Sequence, residues 1–231
     1  MGLFVFDQSY RPIPLTQRFI GVTEKNAMKR QTLMAQIAYN KCCEALRKGK
    51  QAMVFVHSRK DTVKTAKQLA EFAAAQDGME LFSNDMHDRK AEFAPQVMRS
   101  RNNELKDLFL KGLGCHNAGM LRADRTLTEK LFAAGLIKVL VCTATLAWGV
   151  NLPAHMVVIK GTQLYDPQRG GFRNLGVLDV QQIFGRAGRP GFDTSGEGVI
   201  VTEHKNLAHY VSMLTHSTPI ESQFVNNLAD N

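Results

Sequence analysis

Short, unbroken apolar runs alternate along this chain with longer stretches in which apolar residues return every three or four positions. The runs are AMVFV at 52–56, IKVLVCTA at 137–144, MVVIKGT at 156–162 and GEGVIVTE at 196–203. Runs of this length, bounded by polar residues, suit strands buried on both faces of a parallel sheet. QRFIGV at 17–22 and the start of GLGCHNAGM at 112–120 read as two further strands. The periodic stretches predict helices over 26–48, 59–75, 122–134, 178–187 and 207–214. In the first of these, Met28, Leu33, Ile37, Ala38 and Ala45 are among the apolar positions, and Gly49 stands where a helix stop belongs. Pro12 and Pro14 exclude helix in the opening segment. Residues 83–101 are polar, charged and weakly patterned, which predicts a partly helical insertion on the surface. Residues 165–176 are glycine-rich and polar and predict a loop; 218–231 read as the start of a linker out of the domain.

Strands alternating with amphipathic helices define an α/β domain with a mainly parallel sheet and helices on both faces. A length of 231 residues fits one domain with a substantial core, so 1–231 is read as a single unit. Sheets of this class bind ligands at the carboxyl ends of their strands. HSR follows the 52–56 run, HNAG follows the 112–116 strand and TATLAWG follows the 137–144 run. Three strand ends carrying hydroxyl, imidazole, guanidinium or glycine residues make one ligand-facing rim.

Composition narrows the partners only a little. The chain is 44% hydrophobic and 22% charged, ordinary for a globular domain. Its 29 basic and 21 acidic residues leave a net charge of +8, which favours a polyanionic partner without requiring one. Cys42, Cys43, Cys115 and Cys142 form no C-x-x-C pair and have no histidine at zinc-site spacing. They read as reduced thiols in a reducing compartment, nuclear or cytoplasmic. No apolar run reaches the length of a membrane span, and the N-terminus lacks a signal-peptide pattern.

Each polar motif has a functional and a plain structural reading. In CTATLAWGVNLP, Thr143 and Thr145 sit where a strand becomes a helix and can present hydroxyls to an anion; equally, a threonine can simply cap the helix. Gly149 lets backbone approach a ligand, and Asn151 offers an amide. His57, Ser58, Arg59 and Lys60 can hold phosphate at a strand-to-helix junction, or Ser58 can cap the helix beside solvated charges. His116, Asn117, Ala118 and Gly119 form a loop of similar kind.

QQIFGRAGRPGFD, at 181–193, is harder to explain by structure alone. Gln182, Gly185, Arg186, Gly188 and Arg189 spell Q-x-x-G-R-x-G-R. A solvated helix face needs no two glycines, and a pair of guanidinium forks suits phosphate. The spacing predicts one helical turn that puts both arginines on the same side.

With HNAGM, TATLAWGVNLPA and QQIFGRAGRP in this order, the chain resembles the second RecA-like domain of superfamily-two DExH helicases. It is most similar to the superkiller-like branch and, through RPIPL, GTQLYDPQRGGF and PIESQF, to the large tandem-cassette helicases. The resemblance covers nearly the whole chain. It implies a RecA-like fold and an ATP-dependent helicase of 3′-to-5′ polarity. It further implies that Arg186 and Arg189 act as arginine fingers, with Gln182 coupling nucleotide to nucleic acid and Gly149, Asn151 and Gly185 facing the nucleotide. His57, Ser58, Arg59, His116, Asn117, Ala118, Gly119, Thr143 and Thr145 would track the backbone of one strand, single-stranded or beside a duplex, RNA or DNA. No G-x-x-x-x-G-K-[ST] and no D-E-x-H occur in the chain. ATP with Mg²⁺ would therefore be held mainly by a preceding RecA-like domain, a winged-helix domain would follow, and subunits of a larger complex would be partners. The competing reading is a non-catalytic scaffold module from a degenerate cassette. The retained arginine pair argues against it.

Overall fold

The computed structural model describes residues 8–166 and 170–215. The expected linker at 218–231 lies outside the described residues. After a 3-10 turn at Gln8–Tyr10, the chain lays down β1 (Leu15–Val22), α1 (Ala27–Arg47), β2 (Ala52–Val56) and α2 (Arg59–Ala75). It continues through α3 (Met79–Phe82), α4 (Lys90–Arg99), α5 (Asn103–Phe109), β3 (Leu113–His116), α6 (Arg122–Ala133), β4 (Val139–Thr143) and α7 (Thr145–Gly149). β5 (Met156–Lys160), β6 (Gln163–Asp166), β7 (Gly171–Asn174), α8 (Val177–Phe184), β8 (Gly196–Glu203) and α9 (His204–Thr215) complete it.

Six strands form one sheet in the order β1-β8-β5-β2-β4-β3, every pairing parallel. The alternation of side chains along each strand feeds two cores. Ala52, Val54 and Val56 of β2 face one layer, built with Met34, Ala38 and Cys42 of α1 and Ala66, Leu69 and Ala73 of α2. Met53 and Phe55 face the other, built with Leu131 and Phe132 of α6, Ile183 and Phe184 of α8 and Tyr210 of α9. β2 is buried along its whole length, which is why its sequence shows a run and no alternation. The expected α/β architecture with helices on both faces is thus observed.

Three sequence readings are corrected. The stretch 165–176, expected as loop, contains the antiparallel hairpin β6-β7, with Gln163 opposite Asn174 and Asp166 opposite Gly171. Its strands are short and none of their residues is fully buried, so no apolar run marks them. The segment 83–101, expected on the surface, sends Phe93 and Val97 of α4 into the second core. Asn84 is buried there too, donating from Nδ2 to the carbonyls of Phe109 (2.9 Å) and Leu136 (3.0 Å). The helix read over 178–187 ends at Phe184, with Gly185 as its C-cap.

A carboxyl-edge rim and an arginine turn

Because all six strands are parallel, their carboxyl ends share one edge. His57–Arg59 leave β2 there, His116–Gly119 leave β3, Thr143 and Thr145 leave β4, and Gly161 leaves β5. The topology therefore gathers the three motifs that the sequence spreads over almost ninety residues.

The side chains divide into a floor and a surface. His57 donates from Nε2 to the carbonyl of Gly161 at 2.6 Å, and its Nδ1 is buried without a partner. Burial holds this imidazole below its usual pKa, against an opposing pull from the Gly161 bond. His116 is buried, its Nε2 2.7 Å from Glu129 Oε1. Asn117 spends both ends of its amide: Nδ2 donates to Thr62 Oγ1 at 2.9 Å, and Oδ1 accepts from the Gly119 amide at 2.9 Å. These three residues, expected to touch nucleic acid, have their polar atoms turned into the fold. They tie β2 to β5, β3 to α6, and the HNAG loop to α2. Ser58 caps α2, accepting from the Asp61 amide at 3.1 Å. Arg59, Ala118, Gly119 and Thr145 are exposed, and Thr143 is half-buried. The hydroxyls of Thr143 and Thr145 lie 2.9 Å apart, and neither caps α7, whose N-cap is Ala144.

Two features of the rim carry no clear signal in the sequence. Lys160, at the end of β5, is buried and donates to both carboxylate oxygens of Asp61 (3.2 Å each) and to Thr65 Oγ1 (2.9 Å). It pins the first turns of α2 to the sheet; burial lowers its pKa, and Asp61 pulls the other way. An apolar run ending in Lys reads as a strand terminus, so the buried charge is visible only in three dimensions. The second is the β6-β7 hairpin, which rises directly from the end of β5. Tyr165 and Phe172 are 59% and 72% exposed and meet edge-to-face, ring centroids 5.6 Å apart.

The arginines lie past the other end of α8, toward the amino ends of the strands. They do not share a helical turn. Arg186 reaches the carbonyl of Ala147 through Nη2 and Asn151 Oδ1 through Nη1 at 3.4 Å. That contact brings Arg186, Asn151 and the exposed Gly149 into one patch, with Gln182 and Gly185 exposed on the adjoining end of α8. A Cβ added to Gly149 would meet nothing within 4 Å, so space is open above it. Arg189 points elsewhere: Nε donates to Asp193 Oδ2 at 3.0 Å and Nη1 to Gln51 Oε1 at 2.9 Å. Gly188 explains the divergence. Its φ is +89°, and a Cβ there would fall 2.5 Å from Ile13 Cγ2, so only glycine makes this turn. The turn is stitched to β5 through Ala154, whose amide donates to the Arg186 carbonyl (2.9 Å) and whose carbonyl accepts from Gly188 (2.7 Å).

A RecA-like α/β sheet whose carboxyl edge gathers three polar loops, with an arginine turn on its flank, is the build of a helicase C-terminal domain. Comparison with known proteins agrees. Residues 35–191 match the helicase conserved C-terminal domain, and the chain belongs to that family. Over 230 residues it is 59% identical to the DExH-box ATP-dependent RNA helicase DExH14 of Arabidopsis thaliana, covering 100% of this chain and 11% of that protein. Over 231 residues it is 52% identical to activating signal cointegrator 1 complex subunit 3 of Homo sapiens and 51% identical to that of Danio rerio. The chain spans 10% and 15% of those two proteins. The likeness to the tandem-cassette DExH helicases read from the motifs is thereby borne out.

Proposed function

We propose that this chain is the second RecA-like half of an ATP-dependent RNA helicase moving 3′ to 5′. The observation that carries the reading is the patch where Arg186, Asn151 and Gly149 converge: a partly exposed guanidinium, an amide and an unobstructed backbone. This donor set fits the phosphate end of a nucleotide presented from outside. Arg186 supplies positive charge to the oxygens of the transferring γ-phosphoryl. Arg189 joins it by giving up Gln51, with Nε still on Asp193. Gln182, between the patch and the rim on α8, couples the two. A first RecA-like half holds most of ATP and its Mg²⁺.

On the rim, Arg59, Ser58, Thr143, Thr145 and the backbone at Ala118–Gly119 contact one strand's phosphates, while His57, His116 and Asn117 keep the loops in place. Contacts of this kind position a strand without reading it, as stepping along RNA requires. The exposed ring pair of Tyr165 and Phe172 offers a stacking surface beside that path.

The experiment compares the chain alone with the chain joined to a Walker-bearing first half. Alone, it leaves ATP hydrolysis at background. Joined, it supports hydrolysis stimulated by single-stranded RNA and unwinds duplexes with a 3′ tail in preference to a 5′ tail. Turnover by the isolated chain, or an Arg186→Ala motor with parental kcat, overturns the reading and favours a docking module.

A further inference from the structure

Next to the rim lies a cleft of about 790 Å³ whose far wall, from Lys60 to Arg101, the backbone-tracking role does not use. It opens at Arg59, Asn117 and Gly119 and runs down the outer side of α2 toward the flank of the domain. Lys60, Lys64 and Lys67 line it at spacings of four and three, so they share one face of the helix. From Lys60 to Lys67 they cover roughly 10 Å of helix axis. Arg101, in the turn before α5, enters from the opposite wall.

The charge in this cleft is unbalanced. Two carboxylates, Glu104 and Asp124, stand against five cations. Asp124 is buried and accepts from Ser100 Oγ at 2.7 Å, and Glu104 makes a loose pair with Lys67 at 3.7 Å. Among the described residues, Arg59, Lys60, Lys64 and Arg101 have no carboxylate within ion-pair distance. A concave wall lined by cations of one sign focuses a positive field and draws in a polyanion.

We infer that this cleft is a second phosphate-binding site, which takes the sugar–phosphate backbone of the same RNA strand where it leaves the rim. Continuity selects this ligand over an acidic peptide: Arg59, Asn117 and Gly119 belong to the rim and the cleft alike, so the path is unbroken. A row of lysines at helical spacing reads charge and not sequence, which matches the rim. The inference rests on the reading of the rim as a strand path.

The test uses Lys64→Gln, Lys67→Gln and Arg101→Gln combined, with a thermal melt to establish the parental fold. Fluorescence anisotropy then measures oligouridylates of about six and about fifteen nucleotides, lengths that bracket a single-strand site. The short oligomer should bind the variant within about twofold of the parent, and the long one about tenfold or more weaker. The slope of log affinity against log salt for the long oligomer should fall by about 2, from three lost contacts at about 0.7 each. Unchanged long-oligomer affinity and slope overturn the inference. So does a polyglutamate peptide that binds the parent tightly and loses its site in the variant while RNA does not. A Thr143→Val, Thr145→Val pair checks the underlying reading by itself. If it leaves the short oligomer unaffected while the cleft variant still weakens the long one, the rim reading fails, and the cleft binds phosphate without continuing a rim path, which overturns the continuity inferred here.

Discussion

Asp193 holds Arg189 at three points, its Oδ2 accepting from the arginine's Nε at 3.0 Å and from its backbone amide at 2.9 Å, and its Oδ1 from Nη2 at 3.5 Å. The carboxylate is fully buried, and Lys50 Nζ closes it from another side at 2.8 Å. Among the described residues, Arg186 has no carboxylate partner of this kind; its contacts are to a carbonyl and an amide oxygen. The two arginines should therefore fail differently. In a complete motor, Arg186→Ala lowers kcat by roughly 10³-fold with the melting temperature near parental. Arg189→Ala lowers kcat and also costs about 1–3 kcal/mol, because it strips a buried acceptor of its donor. Measuring kcat, ATP affinity and melting on the same preparations separates them. Equal stability of the two variants contradicts this assignment.

The same pair makes stability sensitive to acid. Burial pushes the Asp193 carboxyl up, but hydrogen bonds from Arg189 and Lys50 outweigh it and hold the pKa down to about 2. The folded value lies below the unfolded one, so the contribution is fully present above about pH 4. It is lost as pH falls toward 2. Its size is on the order of 2 kcal/mol. Asp193→Asn should flatten the stability profile between about pH 5 and 2 in urea titrations, while the parent falls steeply. Parallel profiles would count against the pairing.

Phe93 gives the 83–101 segment a structural role. It is 5% exposed and packs in the second core with Val97. Phe93→Ala should cost about 3–5 kcal/mol in chemical denaturation. Met98→Ala, on the exposed side of the same helix, should change stability by less than about 0.5 kcal/mol. A neutral Phe93 variant would return the segment to the surface.

Tyr165→Ala and Phe172→Ala remove rings that are mostly in solvent, so the fold should melt as the parent does. Each should weaken binding to single-stranded RNA by about 1–3 kcal/mol if bases stack on the hairpin. Salt dependence should stay constant, since no charge is lost. Unaltered affinity in both variants removes the hairpin from the strand path.

Four strands of the main sheet, β2, β4, β5 and β8, were legible because burial on both faces writes itself as an apolar run, as at Val54 and Val158, which sit side by side in β2 and β5. The rim was legible too, since parallel topology fixes where strand ends meet. What escaped was whatever depends on side-chain direction. Nothing local distinguishes His57 turned toward Gly161 from a histidine facing solvent. The spacing of Arg186 and Arg189 suggests one helical turn, but Gly188, at a left-handed φ and packed against Ile13 from 175 residues away so that no side chain fits, sends them apart. The hairpin was missed because its strands bury too little to leave a pattern.

Arg11 donates from Nη2 to the carbonyls of Phe184 (2.9 Å) and Ala187 (2.8 Å), and from Nε to that of Ile13 (2.8 Å). One side chain thus buckles the entry of the chain onto the end of α8 and the arginine turn behind it. The residues ahead of Ile13 are thereby coupled, through one guanidinium, to the carbonyls on either side of Arg186. The segment is a drawstring on the turn: it helps set the frame in which the Arg186 guanidinium stands.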